Sequence, residues 1–379
     1  MTGVAAWLAA HRDEMIADLA EYVGHESSSD DLAALDTCLH WVRDWLDRRL
    51  GPSTSDEWLL RETTGDVLVR HYAGTGSPVL LLAHYDTVWP TGTLADWPFQ
   101  VDGDRMTGPG VFDMKAGLVQ AVWAVRALDA LGLPRPAFTL VLNGDEETGS
   151  LASSDVIVAE AAKARPALVF EASADGALKT ARKGVGLFTV TATGEEAHAG
   201  LDPAAGAGAI QELAHQVLRL HGWTDLDAGT SVNVGVIEGG TGANVTAGRA
   251  TARIDVRVGG EAERRRITAL LADLRPVNPD VELAVTGDWN RPVFERTPEV
   301  GELFALARAC AEPLGVDLRE VAVGGASDGN FVVAAGIPVL DGLGAVGGGA
   351  HARTEHATIS GMLERSALTA ALLAELAVR

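Results

Sequence analysis

Cysteine is nearly absent from this 379-residue chain, which has only Cys38 and Cys310. A lone, distant pair makes no disulfide framework. Both fall in helix-like segments, so both are expected to be buried thiols in a reducing, cytoplasmic setting. Positive charge is scarce as well. Thirty Lys and Arg against 52 Asp and Glu give a formal charge of −22. A phosphate backbone demands the opposite balance, so nucleic acid is excluded as an expected partner. Long hydrophobic runs are missing too. The most apolar window, residues 331–350, contains Pro338, Asp341 and six glycines. It reads as strand and loop, and no membrane span is expected. The opening MTGVAAWLAAHRDEM lacks a basic leader and reads as a first amphipathic helix rather than an export signal.

What is present is a globular composition, 47% hydrophobic and 22% charged, in a chain long enough for two domains. The first half alternates strand-like runs (79–83, 137–142, 167–170) with a helical period at 117–131. This implies an α/β domain with a mostly parallel sheet under helices. Sites in such sheets form at the carboxyl ends of strands. After Arg182 the pattern changes to strand 185–192, helix 207–220, strands 231–238 and 249–258, helix 261–274 and strand 281–286. That order, βαββαβ, is the split, ferredoxin-like arrangement. The expected domains are therefore 1–182 with 293–379, and an insertion at 183–292. A helix at 298–311 resumes the first domain.

Five residues could ligate metal: His84, Asp113, Glu147, Glu171 and His351. Two imidazoles and three carboxylates suit a pair of zinc-like ions. Each also has an ordinary reading. His84 and Glu171 could be polar strand ends, Asp113 a helix cap, Glu146-Glu147 a surface acidic turn, and His351 a solvated loop histidine, with His356 a rival. In extended backbone residues i and i+2 point the same way, so Asp86 can hold one nitrogen of His84 while the other faces metal. A carboxylate at Asp113 could place one oxygen on each of two ions. Adjacent side chains diverge, so Glu147 is expected on metal and Glu146 free to move protons.

At these residues the chain resembles the M20 metallopeptidases, specifically the glutamate carboxypeptidase (carboxypeptidase G2-like) branch. HYDTV, GPGVFDMKAG, NGDEETGS, RKGVG, AHAGLDPAAG, GGASDGNF and GGGAHARTEH follow the family's order and spacing over nearly the whole chain. The resemblance implies a zinc-exopeptidase-like three-layer catalytic domain with an inserted lid and dimerisation domain. It implies two Zn2+ per subunit, with Co2+ or Mn2+ as substitutes. Asp113 would be the bridge, His84 and Glu171 ligands of one ion, and Glu147 and His351 ligands of the other. Asp86 would orient His84, and Glu146 would be the general acid/base. His198 would reach the partner subunit's site of a homodimer and stabilise an oxyanion.

For the substrate the resemblance implies a small peptide or N-acyl amino acid. Arg291 would grip its carboxylate, Lys179 a glutamate side chain, and Asn244 would face the substrate. Two departures touch this side: Ala172 replaces a usual proline, and Val-Thr-Ala follows Asn244. The expected reaction releases a C-terminal amino acid, glutamate first. An N-acyl amino acid deacylase, a desuccinylase (suggested by Ser327-Asp328-Gly329-Asn330) or a dipeptidase is the alternative. A metal-free binding protein is the distant one.

Overall fold

The run Val79-Leu80-Leu81-Leu82-Ala83 has no polar position, so a strand built from it needs cover on both faces. In the structure, a computed structural model that describes residues 2–379, it is the inner half of a central strand. Six strands form the main sheet: β1 (Ser55–Leu59), β2 (Gly65–Tyr72), β3 (Thr75–His84), β4 (Pro136–Gly144), β5 (Ala167–Val169) and β6 (Val339–Leu340). Their order is β1-β2-β4-β3-β5-β6. β4, β3, β5 and β6 run parallel, while β1 and β2 pair antiparallel along one edge. The sheet is therefore mixed. The antiparallel edge escapes sequence reading because β1, SDEWL, is polar and exposed through its first three residues.

Helix Ala116–Ala130 is buried on almost every face rather than on one stripe, unlike the amphipathic helix its period suggests. The C-terminal helix Ile359–Leu376 packs against it, so both are sequestered in the core. Helix Leu32–Leu50 starts where Asp31 accepts from the N–H groups of Ala33 and Ala34, both at 3.1 Å. Helix Pro298–Ala311 begins with Thr297 as cap and proline in its first turn. The N-terminal stretch is two helices, Thr2–Ala10 and Arg12–Gly24, broken at His11. The window 331–350, expected as strand and loop, begins inside a short helix, Gly329–Ala334. Among the described residues no helix is long and apolar enough to cross a membrane. Cys38 and Cys310 are free and buried.

The chain divides into two compact units. One comprises residues 1–181, 296–323 and 327–379. The other comprises Arg182–Glu295 with Gly324–Ala326. The second unit has a fully antiparallel four-stranded sheet in the order Ser231–Gly239, Arg249–Val258, Gly184–Thr193, Glu282–Arg291. Helices Ala209–His221 and Glu261–Ala272 supply the connections. Strand 249–258 alternates buried and open positions, as expected of a sheet covered on one face. Strand 282–291 runs five residues beyond the expected end at 286, and Arg291 closes it.

Candidate metal centre

Parallel strands deliver their carboxyl ends to one side of a sheet, and three neighbours do so here. His84 is the last residue of β3 and pairs with Asn143 near the end of β4. Glu146 and Glu147 form a short 3-10 turn directly after β4. Glu171 lies two residues past β5. Asp113 and His351 arrive from two loops on the same unit. Asp113 caps no helix: its backbone is extended (φ −119°, ψ 96°), and Lys115 occupies the cap position. Two glycines permit the approach. Gly110 has φ +72°, and a Cβ there would lie 2.6 Å from the Thr87 side chain. A Cβ on Gly117 would sit 2.0 Å from the Phe170 carbonyl, next to Glu171.

The five candidate ligands converge. His84 Nε2 lies 3.4 Å from Asp113 Oδ1 and 3.5 Å from Glu171 Oε1. His351 Nε2 lies 3.4 Å from the other oxygen, Asp113 Oδ2, and 3.2 Å from Glu147 Oε2. Ligand atoms each ~2.1 Å from one ion at tetrahedral angles stand ~3.4 Å apart. The observed spacing is thus that of atoms arranged around ions, and Asp113 turns one oxygen to each histidine. Among the described residues His84 Nε2 and Glu147 Oε1 are buried without a hydrogen-bond partner. Buried polar atoms rarely stay unpaired, so each of these atoms has room for a further partner. The donor set fits two divalent cations. Compatible ligand atoms also group His84 and Glu171 with Glu146, and His84 and Asp113 with Glu147. The two adjacent glutamates thus fall in separate groupings, both of which include His84.

The electrostatics agree. Burial alone would lower the His84 pKa, but the carboxylates of Asp113, Asp86 and Glu171 outweigh it and raise it well above the ordinary value. Asp113 and Glu147 push His351 up to about 10. Burial, opposed by His351, raises Glu147 to about 7. Crowded carboxylates of this kind call for positive charge.

Asp86 does more than its spacing suggested. Its backbone carbonyl lies 3.0 Å from His84 Nδ1, and its Oδ1 is 3.2 Å from the same nitrogen. It also accepts from the backbone N–H groups of Glu146 (3.3 Å) and Glu147 (3.1 Å) and from Ser29 Oγ (2.8 Å). With Nδ1 so held, Nε2 is the nitrogen that faces the cluster. Asp145, directly before the glutamates, is buried and accepts from Ser153 Oγ (2.5 Å) and Ala152 N (2.9 Å), locking the turn. Sequence reading missed Ser29 and Asp145, and also Glu355, a fully buried acid four residues after His351. An acidic residue inside a short polar motif was the only signal for Glu355.

The remaining candidates divide between the units. Lys179 is in the unit that carries this cluster, where its backbone pairs with Asp341. His198, Asn244 and Arg291 are in the inserted unit. His198 is exposed in a two-residue pairing against Val245–Thr246, and the Asn244 carbonyl accepts from Ala199 N at 2.9 Å. Nδ1 of His198 accepts from the N–H groups of Gly200 (3.1 Å) and Leu201 (3.0 Å). The neutral ring therefore carries its proton on Nε2, as a donor. Arg291 is buried at the end of its strand, its Nη1 3.5 Å from Asn290 Oδ1.

Residues 80–375 match the model of peptidase family M20/M25/M40. The chain belongs to this family. It is 31% identical over 325 residues to carboxypeptidase G2 of Pseudomonas sp. (strain RS-16), covering 82% of this chain and 77% of that protein. It is 27% identical to succinyl-diaminopimelate desuccinylase of Methylococcus capsulatus, over 84% and 89% of the two chains. The fold matches the crystal structure of aminopeptidase PepT from Bacillus cereus with a TM-score of 0.78 at 20% identity, covering 97% and 99%. As a member of the M20 family with peptidase and amidohydrolase relatives, the chain is a hydrolytic enzyme.

Proposed function

We propose that this M20 hydrolase uses two divalent cations, zinc first, to cleave an amide and release a C-terminal amino acid from a small peptide or N-acyl amino acid, glutamate before others. The carrying observation is Asp113, each of whose oxygens stands 3.4 Å from a different histidine. His84, Asp113 and Glu171 would hold one ion, and Asp113, Glu147 and His351 the other. When bound, such ions activate water at neutral pH and polarise the scissile carbonyl. Glu146, half-buried beside His84 and Glu171, takes the proton from water and returns it to the leaving nitrogen. Asp86 fixes the His84 tautomer and the backbone of both glutamates. His198 offers its Nε2 proton to the developing oxyanion of the partner subunit's reaction, in a homodimer formed through the inserted unit. Arg291 anchors the substrate carboxylate, with Lys179 and Asn244 shaping the remaining contacts. Two free, buried thiols support a cytoplasmic placement.

The second reading is a desuccinylase. It is favoured by similarity to such an enzyme across most of both chains. The Ser327–Asn330 loop is also built into this unit: Asp328 accepts from Asn143 Nδ2 (2.8 Å) and Ser150 Oγ (2.5 Å). The deciding experiment is a panel of dipeptides and N-acyl amino acids, N-succinyl compounds included, with metal added and with chelator. Turnover led by glutamate derivatives supports the first reading, and turnover led by succinyl amides supports the second. Hydrolysis unaffected by chelator would sink both.

A further inference from the structure

Glu355 is fully buried and receives four hydrogen bonds. Its Oε1 accepts from the N–H groups of Phe112 (2.9 Å) and Asp113 (3.1 Å). Its Oε2 accepts from Gly110 N–H (3.2 Å) and from the Trp89 indole N–H (2.7 Å). We propose that Glu355 is a positioning residue, which sets the Asp113 carboxylate between the two metal positions and ties the Asp113 loop to the His351 loop. This rests on the dinuclear reading given above.

Every partner of Glu355 is an N–H donor. Only an acceptor at both ends satisfies them all, and an ionised carboxylate is the one side-chain group of this shape that provides it. A glutamine would turn its NH2 toward one of the two donor pairs. Two hydrogen bonds would be lost and two donors would face each other in a buried space. The three backbone donors belong to the turn that carries Asp113, and their convergence on one anion fixes the path of that turn.

The second half of the argument concerns the His351 loop. Glu355 N donates to the Ala352 carbonyl at 2.8 Å, closing the turn that follows His351, itself in left-handed backbone (φ +60°). Between them Arg353 lies 5.5 Å from the ring centres of both Trp89 and Trp97. Trp89 thus meets Glu355 through its N–H and Arg353 through its ring face. One buried carboxylate is therefore shared by the loops of the bridging aspartate and of an exposed histidine ligand. Asp113 must present its two oxygens to two different histidines, and its backbone N–H is held by Glu355. Loosening that hold rotates the bridge and affects both ions at once.

The test uses full-length protein stripped by chelator and titrated with Co2+, read by calorimetry and by visible absorption of the bound ion. The variants are Glu355→Gln, Glu355→Ala and Trp89→Phe, each checked for fold by circular dichroism. Wild type should bind two Co2+. Glu355→Gln should keep its fold and lose ~10–100-fold in affinity for both ions, with a changed Co2+ spectrum. Turnover should fall through kcat rather than KM. Affinities within twofold of wild type and an unchanged spectrum would overturn the proposal. If Glu355→Gln and Glu355→Ala do not fold, Trp89→Phe decides, since it removes one donor and leaves the carboxylate. Weakened Co2+ binding there supports the positioning role, and unaltered binding and spectrum refute it. A wild-type protein that binds a single ion would instead refute the dinuclear reading, and this inference with it.

Discussion

Asp86 Oδ2 accepts the backbone N–H of Glu147 at 3.1 Å while Oδ1 of the same carboxylate stands 3.2 Å from His84 Nδ1. One residue thus meets a histidine on β3, through its carboxylate and through its backbone carbonyl at 3.0 Å, and also the turn after β4. Asp86→Asn should damage both, because an amide nitrogen would face a donor on one side. We expect ~10–100-fold weaker metal binding and a comparable loss of kcat with the fold retained. Metal titration and steady-state kinetics check this, and wild-type affinity would refute the coupling.

Cation binding should stabilise the protein. Three carboxylates gathered around two histidines leave an excess of negative charge even when both imidazoles are protonated, and a cation would offset it. An ion held at ~1,000 times its Kd adds about 4 kcal/mol to stability. Thermal melts with Zn2+ and with chelator should differ by several degrees, with the Zn2+ form higher. Coincident melts would argue against cation binding at this cluster.

Glu146→Gln should separate chemistry from assembly. The amide keeps the size of the side chain and removes its ability to take a proton. The expected loss is ~10²–10⁴-fold in kcat with metal content unchanged. Near-normal turnover would exclude Glu146 as the proton carrier.

His198→Ala should lower kcat more than it raises KM, the pattern of a contact made in the transition state. Mixing inactive Glu146→Gln subunits with His198→Ala subunits extends the test. A partner-supplied histidine predicts that activity reappears in mixed dimers. No recovery, despite exchange shown by labelled subunits, would place the histidine's action elsewhere.

The inserted unit carries its own pH signature. Glu212 is buried and accepts from Val277 N (3.0 Å), Asn278 N (2.8 Å) and Gln216 Nε2 (2.6 Å). Burial pushes its pKa upward, but these donors outweigh it and hold the value below the ordinary one. A depressed carboxylate stabilises the fold above its unfolded pKa of ~4.3. That contribution disappears as pH falls through the lower folded value. Glu212→Gln should cost ~1–2 kcal/mol at pH 7, and the difference should shrink toward zero in acid. Denaturant melts of both proteins across pH 3–7 read it directly, and a gap that persists unchanged at pH 3 would contradict the assignment.

The five clustered residues were legible as candidates because each stands at a chemically telling place. His84 ends an apolar run, the glutamates follow another between glycines, and His351 sits in a glycine loop. The periodicity of residues 184–258 gave strands and helices close to those observed, since a sheet covered on one face must alternate. What escaped depends on contacts distant in sequence. Nothing local links Ser29 to Asp86, 57 residues away, or Glu355 to Asp113, 242 residues away. β1 was invisible because its polar residues pair with β2 along an exposed edge. The burial of helix 116–130 on nearly all sides is set by several elements, helix 359–376 foremost, which its own period does not record.

The two histidines of the cluster face different surroundings. The His84 side chain is 2% exposed and the His351 side chain 54%. A centre closed on one flank and open on the other does not trade with solvent evenly. The His351 position should fill last and empty first, and dilute chelator should therefore leave a half-loaded enzyme before a bare one. Partial loading would then let metal supply set how much of this enzyme is working.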